Sequence, residues 1–185
     1  MKHLLTLLFI LSVGTFHLSA QAFEEGQLSV SPGIMLGGLG VYGGGVGFPL
    51  GASAGYAFHE MFDAGPFIGI ARYTYGPVGS QYRWNFVSFG ARGDFHYLPL
   101  LEEFLEVDLS SEELDLYVGV LAGFQIAGFS SNDVVLGPTL NFSNRATYGL
   151  AVGGRYYFAD NLAAFAEIGF VLYGILNAGL TFRIY

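Results

Sequence analysis

Phe86-Val87-Ser88-Phe89-Gly90-Ala91-Arg92-Gly93-Asp94-Phe95-His96-Tyr97 alternates with a period of two. Arg92, Asp94 and His96 share one face, and Val87, Phe89, Ala91, Gly93, Phe95 and Tyr97 share the other. A helix would spread the same residues over a period of 3.6, and interior glycines would weaken it. The stretch is therefore read as an extended strand with one charged and one charge-free face. The same alternation runs through Leu50-to-Phe58, Leu114-to-Ile126, Tyr148-to-Phe158 and Leu176-to-Ile184.

Working outward, turn-type clusters bound eight candidate strands at roughly 27–37, 50–59, 64–75, 84–97, 114–127, 146–158, 161–171 and 174–184. Most are long enough to cross a hydrocarbon layer while tilted, for which about 9–11 residues suffice. Ten strands would crowd the chain, and bacterial single-chain barrels use even numbers from about eight upward.

Composition narrows the class. The 185 residues are 52% apolar, 17% aromatic and 12% charged, with 28 Gly and no Cys. Ordinary domains hold roughly 25% charged residues and about 7% Gly. Disorder is excluded by the apolar share. The lack of Cys excludes a disulfide scaffold, a Cys-ligated metal and a thiol nucleophile. An acidic balance in which Lys2 is the only lysine speaks against a nucleic-acid partner.

Met1-Lys2-His3, the apolar run Leu4–Val13 and Ala20-Gln21-Ala22 follow the order of a secretory signal peptide. The apolar core is about half the ~20 residues a spanning helix needs. Residues 1–22 are thus expected to be cleaved, with Phe23 the new N-terminus and 23–185 a single barrel domain. The remaining 163 residues carry six Arg, no Lys and fifteen Asp or Glu. Such an exported apolar chain without a helical span is either an outer-membrane barrel or a soluble carrier with a hydrophobic calyx.

Charge chooses between them. A mid-membrane Arg facing lipid costs about 2–4 kcal/mol, so charged strand residues should turn to the lumen. The expected inward set is Arg72, Arg92, Asp94, His96, Asp115, Gln125, Arg155, Glu167, Asn177 and Arg183, with Arg155 and Glu167 near-diagonal across one hairpin. The opposite faces are charge-free and mostly apolar on the last five strands, as lipid requires and a carrier would reverse. Outward aromatics are expected near both interfaces. Phe58, Phe67, Tyr97, Tyr156, Phe158 and Phe182 would form one girdle, at the periplasmic rim. Tyr73, Tyr75 and Tyr148 would form the other. Trp84 has inward or loop parity.

Several segments resemble the OmpA/OmpX-like family of small outer-membrane β-barrels. They are Gly90-Ala91-Arg92-Gly93, Leu114-Asp115-Leu116-Tyr117-Val118-Gly119, Gly154-Arg155-Tyr156-Tyr157-Phe158-Ala159-Asp160-Asn161, Phe165-Ala166-Glu167-Ile168-Gly169-Phe170 and Asn177-Ala178-Gly179-Leu180-Thr181-Phe182-Arg183. The resemblance implies an all-β, eight-stranded antiparallel up-and-down transmembrane barrel. It also implies contact with membrane lipid and lipopolysaccharide, and insertion by the outer-membrane assembly machinery, which reads the last strand. The family usually closes on a lipid-facing aromatic, whereas here Ile184 holds that parity and Tyr185 lies one step beyond.

No catalytic centre, metal site or cofactor is expected. Barrels that modify lipid A use a His with a Ser and an acid near the outer rim, but His59 and His96 both fall at the periplasmic end, out of reach of that substrate. Gly38-Leu39-Gly40-Val41-Tyr42-Gly43 matches G-x-G-x-x-G by spacing alone, without the βαβ context a dinucleotide needs. Glu102, Glu103, Glu106, Asp108, Glu112, Glu113 and Asp115 make an acidic periplasmic turn with a short helix at Leu100–Leu105, and a cation site there is the alternative. The inward polar set is read as a structural plug, with a narrow ion path as its alternative. The long outer loop at 128–144 could present an extracellular ligand site whose ligand the sequence does not name.

Overall fold

The computed structural model describes residues 22–37, 45–46, 49–75, 82–106, 113–131 and 143–184. Eight long strands follow one another: β1 (Leu28–Leu36), β2 (Leu50–His59), β3 (Phe62–Tyr75), β4 (Tyr82–His96), β5 (Leu114–Ser131), β6 (Arg145–Ala159), β7 (Leu162–Val171) and β8 (Gly174–Ile184). Each pairs antiparallel with its sequence neighbours. β1 then pairs with β8, Leu28 opposite Ile184 and Leu36 opposite Leu176, which closes the barrel and leaves no long edge strand. Every expected strand is present. β5 runs four residues further than its sequence pattern suggested, to Ser131. An extra two-residue strand, Gly45–Val46, pairs with Thr74 and Tyr73 of β3.

Short turns fix the hairpins. Glu60-Met61 joins β2 to β3 and Asp160-Asn161 joins β6 to β7, both at the end where β1 begins and β8 finishes, the terminal end of the barrel. Leu172-Tyr173 joins β7 to β8 at the opposite end, with Leu172 at φ 51°. Left-handed backbone is unfavourable for a non-glycine residue. Here the Leu172 side chain packs against two buried apolar clusters, which holds the turn. The one helix among the described residues, α1 (Leu98–Leu105), follows β4 directly and begins two residues earlier than expected, with Pro99 in its first turn.

The faces alternate as the charge argument requires on β4 through β8. Val87, Phe89, Val120, Phe124, Leu150, Tyr156, Ile168, Leu180 and Phe182 are exposed, whereas Arg92, Asp94, Asp115, Arg155, Glu167 and Arg183 are buried. β3 is the correction. Phe67 is 5% exposed and Tyr73 1%, so both point into the lumen and belong to no girdle. Arg72 points outward, exposed, and its Nε donates to Asn85 Oδ1 at 2.9 Å. The reason lies at the other end of the strand. Asp63, which the sequence pattern left in a turn, is the second residue of β3 and is buried, and its parity sends odd-numbered residues inward. Arg72 sits three residues from the strand's far end, where an outward charge costs only about 0–1 kcal/mol.

Tyr97 likewise leaves its expected place: β4 ends at His96, and Tyr97 caps α1, half-buried. The side chain of Tyr75 lies outside the described residues, as do residues 1–21, 38–44, 47–48, 76–81, 107–112, 132–142 and Tyr185. The glycine motif at 38–43, Asp108, Glu112 and most of the outer loop fall in those segments.

Candidate functional site

The lumen is built in two layers. Toward the opposite end from the termini it is apolar: Met35, Ala71, Tyr73, Trp84, Phe86 and Tyr173 form one buried cluster, and Phe67, Leu121, Ala151 and Val171 continue it. Ser88 Oγ and Tyr173 Oη lie 2.6 Å apart, so the turn tyrosine is both packed and hydrogen-bonded. Burial pushes the Tyr173 phenol above its usual value, against a lowering contribution from that hydrogen bond. Sequence alternation did not reveal this layer, because an inward aromatic and an outward one read alike.

Toward the termini the lumen is charged. Arg92 Nε donates to Asp94 Oδ1 at 2.9 Å and its Nη2 to Glu167 Oε1 at 2.5 Å. Glu167 also accepts from Tyr117 Oη at 2.8 Å and from Asn177 Nδ2 at 2.9 Å. Arg155 Nη2 donates to Asp94 Oδ2 at 3.1 Å and Nη1 to Asp115 Oδ2 at 3.2 Å, with Asp63 Oδ2 at 3.8 Å. Its guanidinium lies 4.3 Å from the Tyr117 ring centroid, a cation–π contact. His96 stands between two carboxylates, its Nδ1 2.7 Å from Asp115 and its Nε2 3.4 Å from Asp63.

Four carboxylates therefore enclose two guanidinium groups and one imidazole, all with side chains under a tenth exposed. Charges this deep are tolerated only when each has several partners. The expected Arg155–Glu167 proximity does not become a contact: Arg155 turns to Asp94 and Asp115, and Glu167 to Arg92. Which residues meet across a barrel depends on the stagger of its strands. Two members escaped the sequence analysis. Asp63 was hidden beside a turn, and Tyr117 shares the parity of Asp115 without a charge to announce it.

Of the remaining lumen candidates, Gln125 and Arg183 lie apart from this cluster. Gln125 is buried farther along β5, and Asn177 joins Glu167. Arg183 is buried below the cluster, 4.3 Å from the Tyr157 ring, and its Nη2 donates to the Ala22 carbonyl oxygen at 2.6 Å. Phe23 stacks on His96 with ring centroids 3.5 Å apart and planes inclined by 15°. Among the aromatics, Phe58, Tyr156, Phe158 and Phe182 are exposed toward the terminal end, and Tyr148, 85% exposed, toward the other. Among the described residues the acidic run does not converge. Asp115 enters the lumen, Glu113 accepts from Tyr156 Oη at 2.9 Å, and Glu102 and Glu103 ride on α1.

The outer membrane protein OprG of Pseudomonas aeruginosa superimposes with a TM-score of 0.55 over 90% of this chain and 99% of that one, at 10% identity. The fold is that of a small outer-membrane β-barrel. Two further barrels superimpose more loosely. Ail of Yersinia pestis gives a TM-score of 0.47 at 16% identity, covering 86% of this chain and 96% of Ail. The N-terminal barrel domain of Pseudomonas aeruginosa OprF gives 0.44 at 15%, covering 86% and 98%. No family model matches the sequence, and no curated protein matches it.

Proposed function

We propose that the chain is an integral outer-membrane protein, exported by its leader, whose work is structural or one of surface interaction. The observation that carries this is the inversion of its faces. Leu50, Ile68, Phe89, Val120, Leu150, Ile168 and Leu180 are exposed in a continuous belt while arginines and carboxylates are buried. In water such a belt would expose far more contiguous apolar surface than a monomer tolerates; in lipid it is the favourable face. A hydrophobic carrier would arrange the faces the other way. Exposed Leu100, Phe104 and Leu105 continue the apolar surface onto α1, beside the rim.

The polar layer acts as an internal brace rather than a catalytic centre. His96 has both ring nitrogens facing carboxylates, and His59 lies at the same end of the barrel. Membrane phospholipid and lipopolysaccharide are then the partners of the belt, Phe58, Tyr148, Tyr156, Phe158 and Phe182 its interfacial anchors, and the outer-membrane assembly machinery the partner of β8. Fractionation and a gel comparison test the proposal together. The protein should partition with outer membranes, and unheated samples should run faster in SDS than boiled ones. Recovery in the soluble fraction, with identical mobility heated and unheated, would reject it.

A further inference from the structure

The apolar belt runs down to the terminal rim. Phe58, Phe62, Phe95, Phe158 and Ile184 face outward at or next to their strand ends, and the rings of Phe62 and Phe95 lie 5.1 Å apart. At the far end the outward positions turn polar, with Arg72, Arg83 and Ser130 exposed. The hydrocarbon face therefore reaches the terminal rim and stops short of the other. α1 starts at that rim. His96 N–H donates to the Met61 carbonyl in the β2–β3 turn at 2.9 Å, Tyr97 N–H donates to the Leu116 carbonyl at 2.9 Å, and the helix follows at Leu98. This is the depth at which headgroups meet acyl chains.

The helix is amphipathic and only partly covered by the barrel. At about 3.6 residues per turn, Leu98, Leu101 and Leu105 form one row, Leu100 and Phe104 a second row beside it, and Glu102 and Glu103 fall on the opposite side. Leu98 is 1% exposed and lines the small cavity under Phe23 and His96. Phe104 is 83% exposed, and Leu100 and Leu105 are exposed beside it. An isolated helix shorter than about 12–15 residues is marginal in water. α1 has 8 residues, and Tyr97 at its start supplies no side-chain cap bond. Its outer row needs an apolar neighbour as much as Leu98 does.

The geometry points to α1 as an in-plane membrane anchor, its Leu100, Phe104 and Leu105 face resting in the headgroup layer at the terminal end against zwitterionic phospholipid. Charge selects the lipid class. From Leu98 to Glu106 the chain carries Glu102, Glu103 and Glu106 and no Lys, Arg or His, whereas surface helices that seek anionic lipid are rich in Lys and Arg. Lipid contact also keeps Leu98 seated over the terminal mouth. The inference rests on the membrane-barrel reading and adds to its belt a contact outside the strands.

Spin labelling tests it, because the chain has no native Cys. Phe104→Cys, Leu105→Cys, Glu103→Cys and Val120→Cys are labelled with a nitroxide. The folded proteins are reconstituted in phosphatidylcholine vesicles, folding being checked by the gel shift between unheated and boiled samples. Accessibility to oxygen, which concentrates in hydrocarbon, is compared with accessibility to a water-soluble nickel chelate. The oxygen-to-chelate ratio should be several-fold higher at Phe104→Cys and Leu105→Cys than at Glu103→Cys, and highest at Val120→Cys in the belt. A Phe104→Cys ratio as low as that of Glu103→Cys would overturn the anchor while a high Val120→Cys ratio keeps the belt; a low ratio at Val120→Cys would overturn both. Shielding of Phe104→Cys from both reagents would overturn the lipid occupant in favour of a second copy of the chain. Enriching the vesicles in anionic phosphatidylglycerol should lower the Phe104→Cys ratio, and a rise would overturn the lipid class.

Discussion

At the scale of single residues, the barrel's stability is concentrated where charges have no water. Arg92 joins Asp94 to Glu167, so Arg92→Met takes one cation from two buried carboxylates, leaving Asp94 with Arg155 and Glu167 with only neutral donors, and should cost about 3–5 kcal/mol in urea unfolding from detergent micelles. Glu167→Gln keeps the shape and the Tyr117 and Asn177 partners and should cost less. The double variant should therefore be milder than the sum of the two, with a coupling of about 0.5–3 kcal/mol; strict additivity would show that the pair is not energetically joined. Glycine makes room for this cluster. A Cβ on Gly153 would stand 2.7 Å from Glu167 Cγ and 3.0 Å from Tyr117 Cζ, so Gly153→Ala should cost about 1–3 kcal/mol despite adding only a methyl group. Tyr173 gives a pH test. Its phenol titrates higher when folded than unfolded, so the stability it contributes is whole below about pH 10 and is lost as pH rises through the folded value. Tyr173→Phe should flatten that alkaline limb of the unfolding curve, and an unchanged limb would assign it to other groups.

At the scale of elements, β3 shows how far sequence legibility extends. On β4 to β8 a buried charge fixes which face meets lipid, and Arg92, Asp115, Arg155, Glu167 and Arg183 all chose correctly. β3 offered Arg72, near a rim where the penalty fades, and hid Asp63 beside a turn, so the faces came out reversed. Partner choice inside the lumen was illegible for a different reason: strand stagger decides it, and alternation carries no information on stagger. The inverted face of β3 has a direct consequence. With no native Cys to interfere, Ile68→Cys and Ile70→Cys should react with a lipid-soluble maleimide in the folded, membrane-embedded protein, while Phe67→Cys and Ala71→Cys should react only after unfolding. The opposite labelling pattern would restore the sequence-based register and discard the structural one.

At the scale of the whole molecule, the question is whether eight strands enclose a path. An eight-stranded barrel has an interior just wide enough for its own side chains, and here described side chains occupy it at three levels in series. Tyr73, Trp84 and Phe86 fill one half, the Arg92–Glu167 and Arg155–Asp115 pairs cross the other, and Phe23 covers His96 at the terminal mouth. An ion would have to displace packed aromatics and then separate charge pairs worth several kcal/mol, both in the same passage. Reconstituted in planar bilayers, the folded barrel should therefore add no discrete current steps to the baseline. Trp84→Ala should also stay silent, because opening the apolar layer leaves the charged layer and the Phe23 ring over His96 in place. Steps from the native protein would show that the plugs open together, and steps from Trp84→Ala alone would make the aromatic layer the sole barrier and reduce the ion pairs to lining.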